Sequence, residues 1–443
     1  MGVRPVGRGF AAVLRRAEQW LARMLVSITE EEERRRVDQD ERRIVINSTE
    51  SFQKEMEAVR EYISLAEGDG MIEILSFDVV AMFPSLQWQF VVREIDGIMK
   101  DREERAGLDV DEDMEYRKQE RAKARKLREI VIRILIFILQ HQFVYVRTDG
   151  EGEGEEKSFY HQTSGIGIGS SASSAIANLA LLGPERRMLE KLKGRGHNIR
   201  VHVRYVDDIC TVAHVRKGEE GVLREEMENE LNSMDEEGNS VRVTAQSIVV
   251  PLRRNKGEGE AGCIDGIEYL DVMIEPTYTG EGRLRLETGV YRKPAASDLY
   301  MLASSYHSWR IKAGMVKGEA IRYLIICSTE DRFEKAWNRY ERAMCNRGYT
   351  KGWLREKRQV EWKDRDKYLG SYKEEKEDKR RGSVPILIER RPGTEAWWGL
   401  ILENRLHTGY TADEVEGSMI PKSMYKVERS TASLKGLMKG MKR

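Results

Sequence analysis

Arg204-Tyr205-Val206-Asp207-Asp208-Ile209 lies between two short apolar runs that alternate as the arms of a β-hairpin do. Val201, Val203 and Tyr205 share one side, and Cys210 and Val212 continue a second run. Two adjacent carboxylates at a hairpin tip repel each other and gain little from packing. A divalent cation gives them a reason to be there, because hard Mg²⁺ takes one or two carboxylates together with phosphate oxygens and water. A bare Asp-Asp is also ordinary turn chemistry. The rest of the chain must decide between the two.

Upstream, Met71-Ile72-Glu73-Ile74-Leu75-Ser76-Phe77-Asp78 reads as a short strand that ends in a carboxylate, followed by Val79-Val80-Ala81-Met82-Phe83-Pro84. Between it and the hairpin, Gln162-Thr163-Ser164-Gly165-Ile166-Gly167-Ile168-Gly169 is a glycine-rich turn. It feeds a helix of small residues from Ser170 to Ala177. A carboxylate at a strand end, a glycine turn entering a small-residue helix and a carboxylate pair on a hairpin follow the order of a template-directed polymerase palm. Such enzymes use paired cations to align the attacking and leaving oxygens.

On these motifs the chain resembles the reverse transcriptases of Penelope-like retroelements, right-hand polymerases related to telomerase. Arg4-Pro5-Val6 is similar to the family's Arg-Pro-Ile, and Asn47 to Phe52 to the stretch leading into the first palm motif. Ser76-Phe77-Asp78-Val79 is similar to its Ser-Phe-Asp-Val, and Tyr269-Leu270-Asp271 to its Phe-Leu-Asp. Tyr291-Arg292-Lys293-Pro294, Ser305-Tyr306-His307, Arg322 and Arg347-Gly348-Tyr349 continue the likeness, which runs from about residue 3 to 350. Two departures sit beside the site. The family's Met-Gly-Ser-Pro is here Ile168-Gly169-Ser170-Ser171, and Ser308 stands where a Pro follows the His.

The resemblance implies an α+β fold: a right-hand polymerase with a truncated fingers part (1–70), an antiparallel palm (71–290) and a helical thumb (291–369). Polar insertions are expected near 101–126 and 147–157, and residues 370–443 form a basic extension of no assigned fold. It implies that Asp78, Asp207 and Asp208 are catalytic and hold two Mg²⁺ ions, with Mn²⁺ as a substitute. Arg4 and the backbone from Val79 would meet the triphosphate. Phe83 would lie beneath the sugar and exclude a 2′-hydroxyl. Gln162, Gly165 and Gly169 would contact nucleotide and template. Tyr205, Tyr269, Leu270, Lys293, His307 and Arg322 would contact primer or duplex, with Lys312 a further cation along the thumb. The implied partners are an RNA template, a DNA primer and deoxynucleoside triphosphates, in the nucleus or the cytoplasm. No match to a general-acid lysine is found between Asn232 and Gly266, apart from Lys256 as a candidate.

Composition bounds these readings. Of 443 residues, 75 are basic and 75 acidic, so the net charge is zero, which argues against a uniformly sticky nucleic-acid binder. Residues 347–443 carry 23 Lys/Arg against 15 Asp/Glu, and the last 22 residues seven against one. A basic end suits backbone tracking and equally a solvated tail. No apolar run is long enough to span a membrane. The four cysteines have neither metal-ligand spacing nor a disulfide framework. Helices are expected over 52–66, over 127–139 and across 295–350, where Phe333, Trp337, Tyr340 and Met344 share a face. Two functions compete with the retroelement reading: a catalytically silent nucleic-acid-binding fragment of a decayed element and, within the polymerase class, telomerase-like extension of chromosome ends.

Overall fold

Every residue from Ile72 to Leu75 is buried, and the chain uses this run as an inner strand of its largest sheet. The computed structural model describes residues 12–39, 41–66, 68, 70–106, 114–148, 156–233, 242–254, 266–293, 299–370, 384–389 and 424–429. It divides into two units, Met1–Trp362 and Lys363–Arg443.

In the first unit, helices α1 (Ala12–Asp38) and α2 (Thr49–Leu65) precede strand β1 (Met71–Val79). Next come α3 (Met82–Ser85), α4 (Trp88–Arg105), α5 (Met114–Gln140) and the hairpin β2 (Phe143–Thr148) and β3 (Glu156–His161). Helix α6 (Ser173–Gly194), strands β4 (Asn198–Tyr205) and β5 (Asp208–Val215), helix α7 (Val222–Asn232) and strand β6 (Val243–Pro251) follow. The unit closes with β7 (Ile267–Tyr269), β8 (Val272–Tyr278), β9 (Leu284–Val290), α8 (Trp309–Ile326), α9 (Glu330–Asn346) and α10 (Lys351–Arg358).

The main sheet is antiparallel in the order β4-β5-β1-β6. Strands buried on both faces need apolar residues on both, which is why β1 is nearly continuously apolar rather than alternating. Leu75, Phe77 and Val79 face one core, built with α1, α4, α5 and α6. Ile72, Ile74, Val201, Val203, Cys210 and Val212 face the other, built with α2 and the β7-β8-β9 sheet. The residues expected as partial fingers therefore supply cover to both faces: Leu21 and Leu25 on one, Phe52 and Met56 on the other.

Serine and threonine caps set the helix starts. Ser48 accepts from the Ser51 amide, Ser308 from Ile311, Thr329 from Arg332 and Thr350 from Trp353, satisfying donors that the first turn leaves orphaned. Phe333, Trp337, Tyr340 and Met344 are all buried, as their spacing requires. The polar run ahead of Leu127 is a helical extension: α5 begins at Met114, and α4 runs to Arg105. The insertion at 147–157 falls at the β2–β3 hairpin, whose tip lies outside the described residues, as do Arg4 and Lys256. Among the described residues no helix is long and apolar enough to cross a membrane. In the second unit, α11 (Arg365–Gly370) is described, with β10 (Val384–Glu389) paired in parallel to β11 (Met424–Arg429).

Phe52 is fully buried with its ring 4.7 Å from that of Tyr269. Phe52→Ala is expected to lower unfolding free energy by about 3 to 5 kcal/mol, read from urea denaturation. A loss below about 1 kcal/mol would contradict this packing.

Candidate active site

Asp78 is the direct cross-strand partner of Asp208 in the β1–β5 register. Opposed residues of an antiparallel pair project to the same face, here that of the β7-β8-β9 sheet. Asp207 precedes Asp208 in the two-residue turn between β4 and β5. A cleft of about 460 Å³ opens on this sheet end, lined by Asp78, Asp208, Ser76, Leu270, Tyr291 and Lys293 among others. Burial and the neighbouring Asp207 and Asp78 push the Asp208 carboxyl up to about 6, against the opposing pull of Lys293.

Asp78 and Asp208 offer the cleft two opposed carboxylates, the oxygen ligands that a hard divalent cation takes. Among the described residues no three His, Cys, Asp or Glu side chains are grouped so that together they could hold a metal ion. A Mg²⁺ here would draw its remaining ligands from phosphate and water, as Mg²⁺ does in nucleotide sites generally.

The turn itself is held through its backbone. Val206 is β-branched yet adopts φ +58°, a left-handed conformation that such residues avoid. Three successive carbonyls are each bound by a different group. Arg204 Nη1 donates to Val206 O at 3.1 Å, the Val79 amide to Asp207 O at 3.2 Å, and Tyr269 Oη to Asp208 O at 3.3 Å. Arg204 is wholly buried. Its Nε donates to Glu185 Oε1 at 2.8 Å, Nη1 also to Asn178 Oδ1 at 2.8 Å, and Nη2 to Asn178 O at 3.1 Å. Burial alone would raise the Glu185 carboxyl, but Arg204 and His202 outweigh it and hold it down at about 2. Sequence reading missed Arg204, Glu185 and Asn178. The available signal was an arginine on a strand whose two faces are both covered.

Several expected contacts are corrected. The Val79 and Val80 amides are committed to Asp207 O and Arg242 O, so neither donates to a triphosphate. Tyr269 is 1% exposed: its ring is core and its hydroxyl serves the turn, not the primer. Burial pushes its phenol well above the usual range, which keeps it a donor. Arg322 is bound to Asp271 Oδ2 at 2.8 Å and to Glu319 at 2.8 Å, and Asp271 accepts in turn from Thr49 at 3.0 Å. Arg322 thus ties α8 to the β7–β8 turn. Lys312 is 2% exposed, with Nζ donating to Ala303 O and Ser305 O, and is no surface cation.

Gly165 (φ +76°) is buried, and a Cβ there would meet Pro84 O at 2.7 Å. Trp88 Nε1 donates to its carbonyl, and Ile166 N to Phe83 O. Glycine at 165 is explained by two backbones in contact, not by a nucleotide. Of the small residues from Ser170 to Ala177, Ala172, Ser173, Ala175 and Ala177 are buried, while Ser171 and Ser174 are exposed. Phe83 is half-buried, its ring against that same core. Gln162 bonds Ser164 O, and Gly169 (φ +100°) is exposed. Tyr205 and His307 are exposed, Leu270 takes φ +57° at the cleft edge, and Lys293 lines the cleft itself.

Residues 299–359, the α8–α10 segment, match the family described as an animal helix-turn-helix domain. No curated protein matches the sequence. Among solved structures, telomerase from Candida albicans with a fragment of telomeric RNA aligns at TM-score 0.47 and 12% identity, over 75% of this chain and 47% of that one. The Candida tropicalis complex aligns at 0.43 and 14%, over 74% and 45%. The BmCPV RNA-dependent RNA polymerase aligns at 0.27 and 9%, over 67% and 24%. The chain spans about half the length of either telomerase.

The raised Asp208 value has a direct consequence. With a folded value above the unfolded one, this group's contribution to stability is full below about pH 4 and lost as pH rises through about 6. In chelator, Asp208→Asn is expected to unfold at higher temperature than the parent at pH 8. The gain is about 1 kcal/mol, discounted for a half-exposed group, and vanishes below about pH 4. Melting curves across that range check it; a pH-independent difference would contradict it.

Proposed function

We propose that the chain transfers nucleotides onto a primer 3′ end as an RNA-directed DNA polymerase of the Penelope-like kind. The observation that carries this reading is the pairing of Asp78 with Asp208, beside Asp207, at the open end of an antiparallel sheet. Asp78 comes from the end of β1, and Asp207 and Asp208 from a strained turn whose three carbonyls, Val206 to Asp208, are all bonded. Asp78, Asp207 and Asp208 would hold the two cations, whose chemistry would be charge neutralisation and in-line alignment of the attacking and departing oxygens. The chain's own part is to orient. The strand end fixes Asp78, the turn fixes Asp207 and Asp208, and Lys293 brings a positive charge to the same cleft. Phe83 beneath the sugar, with RNA template, DNA primer and deoxynucleotides as partners, belongs to the same proposal.

A second reading, binding of nucleic acid without catalysis, draws on the finding that no three acidic or metal-ligating side chains among the described residues are grouped to hold a metal ion. Primer extension on an RNA template with Mg²⁺ and deoxynucleotides separates the two. The parent is expected to extend, and Asp207→Asn to lose at least about a hundredfold, or about 2.7 kcal/mol, while binding the template-primer as before. Folded parent protein that binds and never extends would leave the second reading. Phe83→Val is expected to cut the deoxy-over-ribo preference in kcat/KM by roughly two orders of magnitude. Unchanged preference with a lowered melting temperature would make Phe83 a core residue only.

A further inference from the structure

A left-handed Val206 does not hold itself; strained backbone persists only where its surroundings over-determine it. The two side chains that grip the turn reach it from opposite faces of the sheet. Arg204 comes from the helix side, anchored on Glu185 and Asn178 of α6. Tyr269 comes from the β7–β8 side, with its ring buried against Phe52.

We propose that Arg204 and Tyr269 are positioning residues for the metal-binding carboxylates, fixing Asp207 and Asp208 through the Val206 and Asp208 carbonyls. The proposal rests on the nucleotidyl-transfer reading for what the turn carries. Arginine suits the task because its planar fork addresses two α6 residues and the turn at once, whereas a lysine ammonium is a single point. A buried ion pair is poor value for stability alone, since desolvation offsets the attraction. Here one guanidinium nitrogen spans both the helix and the strained turn, a geometry that serves position. Tyr269 completes the grip with one hydroxyl, so its removal to phenylalanine leaves the core ring in place.

The test is Mn²⁺ binding by the full chain without nucleic acid, followed by electron paramagnetic resonance alongside thermal unfolding. The variants are Arg204→Lys, Asn178→Ala, Tyr269→Phe and, to define the site, Asp207→Asn. Asp207-dependent Mn²⁺ affinity is expected to fall about tenfold in Arg204→Lys and Asn178→Ala, as for partners that orient metal ligands elsewhere. In Tyr269→Phe it falls about threefold, the scale of one neutral hydrogen bond, with the melting temperature near the parent's. In primer extension the half-saturating Mg²⁺ concentration should rise by matching factors while template-primer affinity stays unchanged.

Purely structural residues would move melting temperature and leave metal affinity alone at temperatures where the variant is folded. Parent-like Mn²⁺ affinity in folded Asn178→Ala and Tyr269→Phe overturns the proposal, and those two variants decide it if Arg204→Lys does not fold. Asp207-dependent Mn²⁺ binding by a parent that extends no primer would end the polymerase reading, leaving the positioning claim to stand on the affinity ratios. Mn²⁺ binding indifferent to Asp207→Asn overturns both.

Discussion

The turn that carries Asp207 and Asp208 exists because its carbonyls are bonded. Val206 in a left-handed conformation costs free energy of order 1 to 3 kcal/mol, and adjacent carboxylates add repulsion. Bonds to the Val206, Asp207 and Asp208 carbonyls oppose both. Only one comes from the hairpin itself. The others come from β1 and from the end of β7, so the turn keeps its shape only while the sheet register holds. That same register sets Asp78 opposite Asp208.

The sheet divides its two faces between two tasks. On the helix side, α6 offers Asn178 and Glu185 to Arg204 from within a core of small and apolar residues. On the other side, the β7–β8 turn brings Tyr269 to the site and passes the connection on. Asp271, two residues beyond Tyr269, is held by Arg322 of α8 and by Thr49 at the start of α2. The position of α8 is thus tied to a turn that bonds the Asp207–Asp208 hairpin. Residues that resembled surface contacts to a duplex are here the joints between elements.

The legible parts of this fold were those written in local spacing. The apolar spacing over 52–66 marks α2, and Phe333, Trp337, Tyr340 and Met344 mark the buried face of α9. Asp78 could be assigned to a strand end because it closes a short apolar run, and the Asp207–Asp208 pair to a hairpin tip because the flanking runs alternate. What spacing cannot express is a partner far along the chain. Arg204 meets Glu185 and Asn178 across 19 and 26 residues, and Arg322 meets Asp271 across 51. Arg322 reads from the resemblance as a duplex contact, and Arg204 carries no role of its own, until the opposing element is in place. Gly165 misled for a related reason: composition signals freedom, but its requirement is the close approach of Pro84.

The most direct test of the account is anomalous scattering from Mn²⁺ in crystals of the chain with an RNA–DNA duplex and a non-reacting deoxynucleoside triphosphate. Two peaks about 3.5 to 4 Å apart are expected, between the end of β1 at Asp78 and the turn at Asp207–Asp208, with the triphosphate against them. A bound duplex and nucleotide with no metal at these carboxylates would contradict it.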